Sequence, residues 1–167
     1  MLKLISQGTR SILFGCHSPI HSVVVTKAWR KIHGRWPKPW ELACIFLHDV
    51  GHLGLQYLDD PAQKAEHWRL GASIAGIFFG WKGYALCAGH CPQNSQMPQS
   101  DLYRPDKYSW YIAPDWWMYC NYFAEPGMRT SKSAVEHVNG FKQHVKKSVE
   151  SGEFVDTHEI FLEMKQG

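Results

Sequence analysis

Helical periodicity punctuated by prolines constrains the fold of this chain more than any other feature. Ser18-Pro19 reads as an N-cap followed by proline in the first turn, and Ile20, Val23, Val24, Ala28 and Ile32 then share one face, which predicts a helix over 19–33. A second helix is expected over 39–49, ending at Gly51. Asp60-Pro61 opens a third, with Leu70, Ile74, Ile77 and Phe78 as its apolar stripe and His67 on the adjoining one. Gly71, Gly76 and Gly80 within it cost about 1 kcal/mol each against alanine, an expense that close helix packing would offset. A fourth helix is expected over 82–90, followed by a polar loop over 91–104 that is either a lid or a plain surface connection. Pro105 is read as opening the helix that carries Asp106, Pro114 as breaking the aromatic run behind it, and Ser131 as capping an amphipathic helix over 131–149. No strand pattern and no internal repeat interrupts this reading, so the expected fold is all-α, one domain over 1–167.

Composition narrows the function classes. The 167 residues are 44% hydrophobic, ordinary for a globular domain that buries about two thirds of its unfolded surface, and this argues against a disordered chain. A net charge of +3 is too small to argue for nucleic-acid binding by itself. The five cysteines form no disulfide framework by spacing, and Cys44 and Cys87 read as reduced, buried residues of a cytoplasmic protein. A zinc site around Cys87, His90 and Cys91 lacks a second cysteine pair at finger-like spacing. The Leu4-Ile5 run is too short for a secretory core, and no segment approaches the ~20 apolar residues of a membrane span. Most of the eight tryptophans are expected in the core, with one or two available to stack on a base.

Chemistry is concentrated in the histidines. His48 and Asp49 stand side by side at the end of an apolar stretch, before a glycine. A neutral imidazole beside a carboxylate can hold one divalent cation, or bridge two, and leave other coordination positions open. A single His-Asp pair is ordinary at a solvated helix end. Here ten histidines are present, and His17, His21, His48, His67 and His90 lie on or near expected helices at separations that allow them to converge. His137, His144 and His158 are read as solvent-facing or packing residues.

These residues resemble the HD superfamily of metal-dependent phosphohydrolases, whose order is a first histidine, an adjacent His-Asp pair on a later helix and a final aspartate. His21 with Val24, Val25 and Ala28 is similar to the first helix of that family, the segment 42–51 to its signature helix, and Asp106-Lys107 to its closing motif. The resemblance covers about 16–108 and leaves 109–167 as a helical extension. The segment His67-Trp68-Arg69-Leu70-Gly71-Ala72, with His90 downstream, is similar to the HD-GYP phosphodiesterases, although Gly89-His90-Cys91-Pro92-Gln93 stands where their Gly-Tyr-Pro element would be. His17-Ser18-Pro19-Ile20-His21 and the segment 48–54 are similar to the class I cyclic nucleotide phosphodiesterases.

The resemblance implies an HD-type helical bundle with His21, His48, Asp49, His67, His90 and Asp106 holding one or two divalent ions. The mixed nitrogen and oxygen donors suit Mn, Fe, Co, Ni or Mg. It implies in-line attack of an activated water on a phosphodiester or nucleotide, with Asp49 bridging, His17 or His52 as general acid, and Arg104 and Lys107 neutralising phosphate oxygens. A deoxynucleoside triphosphohydrolase or nucleotidase would use the same core. A di-iron oxygenase and a non-catalytic nucleic-acid-binding protein are the readings from other classes.

Overall fold

A computed structural model describes residues 5–58, 60–124, 133–154, 160 and 164. The described residues are helical, with no strand among them: α1 (Gln7–Phe14), α2 (Pro19–His33), α3 (Pro39–Leu47), a short 3-10 turn (Val50–His52), α4 (Pro61–Ala65), α5 (Trp68–Phe79), α6 (Trp81–Ala88), α7 (Pro92–Ser95), α8 (Tyr103–Ile112), α9 (Asp115–Ala124) and α10 (Ala134–Ser151). None of the described helices is long and apolar enough to cross a membrane.

Three helix starts fall where proline is expected to place them, although Ser18 at the α2 cap makes no side-chain hydrogen bond to the helix. Proline sits at the first turn of α2, α3 and α4, and the Asp60 carboxylate accepts from the backbone N–H groups of Ala62 and Gln63 at 2.9 and 3.3 Å. At α3 the buried Glu41 accepts from the Lys38 backbone N–H and from both terminal nitrogens of Arg35, at 2.6 and 2.8 Å, which fastens the incoming loop to the helix start.

Helix ends and faces depart from the expectation in six places. The second helix stops at Leu47; His48 is its C-cap and Asp49 turns into the bridge region at φ −98°, ψ 0°, before the 3-10 turn that carries His52. The expected third helix is two, α4 and α5, divided at Glu66-His67. Its buried face is Trp68, Gly71, Ala72 and Ala75, whereas Leu70, Ile77 and Phe78 are exposed. Small side chains face inward because a Cβ on Gly71 would stand 2.2 Å from the Leu47 carbonyl oxygen; the backbones of α5 and α3 touch and leave no room for large ones. Gly80, at φ +66°, ends α5 rather than lying within it. The segment 91–104 holds α7, is tied back by Ser100 N–H and Oγ to the carbonyls of Gly89 and Leu86, and buries Leu102 completely, so α8 begins at Tyr103, ahead of Pro105. Ser133 caps α10, through its Oγ and the Glu136 N–H; the expected Ser131 lies outside the described residues, as does His158.

Two cores result, on either side of α2. One joins Val25 and Trp29 to Cys44, Ile45, Ala72, Ala75, Cys87 and Ala88; the other joins Val24 to Trp110, Trp117, Met118, Val138, Phe141 and Val145. Pro114 separates α8 from α9, as the sequence requires, so that Trp110 and Trp117 stack with ring centroids 5.5 Å apart. His21 lies one turn before Val24 and Val25, at the seam between the cores, 5.0 Å from the Trp110 ring.

Candidate metal centre

The seam gathers histidines from α2, the 3-10 turn and the ends of α3, α4 and α6 around one carboxylate. His21 Nε2 stands 3.3 Å from Asp49 Oδ2 and 3.0 Å from Asp106 Oδ1, and His48 Nε2 stands 3.1 and 3.6 Å from the same two oxygens. On the other side of Asp49, His90 Nε2 is 3.8 Å from Oδ1 and 3.1 Å from His67 Nε2. Among the described residues, three groups of donor atoms lie close enough to hold an ion: His21, His48 and Asp49; Asp49, His67 and His90; and His17, Asp49 and His52. Asp49 belongs to all three.

Local turns set these rings. His48, His67 and His90 each follow the end of a helix or turn, and each directs Nδ1 at the carbonyl three residues earlier: His48 to Ile45 at 2.7 Å, His67 to Lys64 at 2.5 Å, and His90 to Cys87. A carbonyl only accepts, so each Nδ1 carries a proton, and each ring in its neutral form presents an Nε2 lone pair to the cluster. The break between α4 and α5 is what gives His67 this turn. Gly51 brings the 3-10 turn against it, since a Cβ there would stand 1.6 Å from the His67 carbonyl oxygen.

Charge in the buried cluster is divided unevenly. Burial disfavours the charged form of His48, but Asp49 and Asp106 outweigh it and hold the imidazole up at about 10. Burial also opposes ionisation of Asp49 and Asp106; His48, His17 and His21 overcome this for Asp49, and Lys107, His21 and His48 for Asp106, so both carboxyls lie well below their usual range. Burial dominates at His17, His52, His67 and His90. It pushes His17 and His90 down to about 3 and lowers His67 and His52 as well, with the Lys64 charge acting in the same direction on His17, His52 and His67.

The structure therefore brings together His17, His21, His48, Asp49, His52, His67, His90 and Asp106. It places the two expected phosphate-binding cations differently. Lys107 is buried with its Nζ 3.2 Å from Asp106 Oδ2, and Arg104 is exposed over the Phe154 ring at 5.2 Å, contributing no hydrogen bond or ion pair to the cluster. Lys64 was not legible as a neighbour of the cluster, because its place depends on the turn between α4 and α5. No donor group among the described residues includes a cysteine; Cys87 Sγ donates to the Cys44 carbonyl and Cys91 Sγ accepts from Asn94. Comparison with protein-family models, with curated proteins and with solved structures finds no match for this chain.

Proposed function

We propose that this protein is a metal-dependent phosphohydrolase whose substrate is a phosphodiester or a nucleotide, with two divalent ions sharing Asp49. One observation carries the metal reading. His67 and His90 both donate Nδ1–H to carbonyls, so their Nε2 lone pairs face each other at 3.1 Å. Two lone pairs at that separation repel unless a proton or a cation stands between them. Burial disfavours the proton, as it lowers both imidazoles. The donor set fits a borderline divalent ion held by His67, His90 and Asp49.

On the other side of Asp49, His21, His48 and Asp106 complete a second set of mixed nitrogen and oxygen donors. Lys107 holds Asp106 in place and keeps it ionised. Divalent ions held there would lower the pKa of water and draw charge from a phosphoryl group. The chain's own residues orient the donors, exclude bulk water and keep two carboxylates ionised in a buried site. Lys64 supplies positive charge beside His17, His52 and His67, where a phosphate oxygen can be met.

The test is a screen of metal-loaded protein against an activated nitrophenyl diester, nucleoside triphosphates and nucleoside monophosphates. Hydrolysis that requires a divalent ion and falls about 10³-fold in folded Asp49→Ala, together with lost metal, is expected, since the ions supply several kcal/mol of transition-state stabilisation. Wild-type metal content in Asp49→Ala with cleavage at a similar rate would overturn the assignment.

A further inference from the structure

The third donor group remains without a role in a two-ion centre. His17 and His52 come from different elements, the residue before the α2 cap and the 3-10 turn, yet their rings stack with centroids 3.7 Å apart and an interplanar angle of 27°. One nitrogen of each and an Asp49 oxygen lie within 4.8 Å of one another. The stack brings one nitrogen of each ring close to the same carboxylate.

Ser11 anchors one ring, and burial encloses the other. His17 Nδ1 is 2.7 Å from Ser11 Oγ on α1, which leaves Nε2 to the cluster. His52 is 2% exposed, and its Nδ1 is buried with no hydrogen-bond partner. A polar atom enclosed in this way carries a desolvation cost that a ligand would relieve. The backbone around it is fixed: the Gly8 N–H donates to the Leu55 carbonyl at 2.9 Å, and a Cβ on Gly8 would stand 1.9 Å from the His52 carbonyl oxygen. On its other face His52 stacks on His67 at 4.5 Å, so the column His17–His52–His67 leads directly into the pair that faces His90.

We propose that His17, His52 and Asp49 form a third divalent-cation position that fills together with a phosphate anion. This rests on the two-ion reading above. Two carboxylates opposite two divalent ions leave the cluster with two positive charges in excess, and a third ion would double that excess. Lys64 adds to the repulsion. An anion with two or more negative charges removes the obstacle, so the third position belongs to the phosphate-bound state. The phosphate oxygens and Asp49 would then share the ion with the two imidazoles.

The experiment is elemental analysis of the full chain after equilibrium dialysis against Mn²⁺, with and without inorganic phosphate, at concentrations where manganese phosphate stays dissolved. The expected counts are two ions per chain without phosphate and three with it. His17→Gln combined with His52→Gln should hold two in both conditions. His17→Gln alone, at a half-buried position, serves as the folded control should the double variant unfold, and it too should remain at two. A wild-type count unchanged by phosphate, or a variant that still gains an ion, overturns the third position. A wild-type count below two without phosphate overturns the two-ion reading instead, while a phosphate-linked gain that the variants lose would still support the position at His17 and His52.

Discussion

The two cores on either side of α2 both bury tryptophans, Trp29 and Trp68 in one and Trp110 and Trp117 in the other, but differ in how their helices meet. The core of α3, α5 and α6 is lined by Cys44, Ala72, Ala75, Cys87 and Ala88, all fully buried, and its helices approach until backbone meets backbone. The core of α8, α9 and α10 is filled by Trp110, Trp117, Met118 and Phe141, with large rings stacked and crossed between the helices. The first holds carbonyls and imidazoles in register around Asp49; the second supplies bulk apolar burial behind His21. Position matters more in the first and volume in the second.

Substitutions in the two cores should separate stability from chemistry, and in opposite senses. Gly71→Ala forces a methyl against the Leu47 and His48 carbonyl oxygens, which a Cβ would meet at 2.2 and 3.0 Å. Overpacking of this kind costs roughly 1–3 kcal/mol, and it displaces the backbone that carries His48 and Asp49. Metal content and hydrolysis should both collapse. Phe141→Ala should cost more stability, about 3–5 kcal/mol, yet protein that remains folded should keep its two ions. Denaturant titration combined with elemental analysis checks both. Metal lost from folded Phe141→Ala, or retained by Gly71→Ala, would erase the contrast between the cores.

A narrower effect comes from His67. His67→Ala removes one donor of the Asp49, His67 and His90 group and leaves the group of His21, His48 and Asp49 whole. Calorimetric titration should then show one tight site where the wild type shows two. Equal site counts in both proteins would return His67 to a packing role beside Trp68.

How much of this was legible follows from the same contrast. Residue types declare donors, so the pair His48-Asp49 and the spread of His21, His67, His90 and Asp106 could be read directly. Prolines declare helix starts, and those of α2, α3 and α4 fell where expected. The apolar stripe of α5 did not, because hydrophobicity points to Ile77 and Phe78 while the true contact is made by Gly71, Ala72 and Ala75, whose value is their small size. The carbonyls of Ile45, Lys64 and Cys87 that fix the imidazoles were equally hidden, since every residue has one and only the turn selects it. Arg104 and Lys107 look alike in sequence as phosphate binders, and only the depth of α8 separates an exposed guanidinium from an ammonium buried on Asp106.

Protonation should distinguish a cluster awaiting ions from one that is merely packed. In metal-free protein His17 and His90 are lowered to about 3, so between there and their ordinary 6.5 the unfolded chain binds more protons and stability rises with pH. Asp49 and Asp106, held well below their usual range, add stability above about 4 that is lost as pH falls. His48 is raised to about 10, so its contribution is complete below 6.5 and is lost as pH rises toward 10. Metal-free protein should therefore be most stable near pH 6.5. A divalent ion replaces the His48 proton, so the alkaline loss should disappear in Mn²⁺-loaded protein. Denaturation midpoints at pH 6.5, 8 and 9.5, with and without Mn²⁺, give the comparison; parallel profiles would mean that His48 does not exchange its proton for an ion.

The smallest expected effect lies at the outer edge of the aromatic core. Ser133 Oγ accepts from the Glu136 N–H at 3.3 Å, and Glu136 Oε2 accepts from the Ser133 N–H at 3.0 Å, a reciprocal capping box at the start of α10. Ser133→Ala removes one half of it and should cost about 1 kcal/mol. The buried face of α10, with His137, Val138, Phe141 and Val145, reaches His21 through the stacked Trp110 and Trp117, whose large rings tolerate a slight loosening of the helix end. Stability should fall by that small amount while the metal count and the pH profile stay as in the wild type. A double-mutant cycle with Glu136→Ala, read by denaturant unfolding, measures the coupling between the two side chains. A change in metal count on losing this cap would show that the two cores are coupled more tightly than their separate packing rules require.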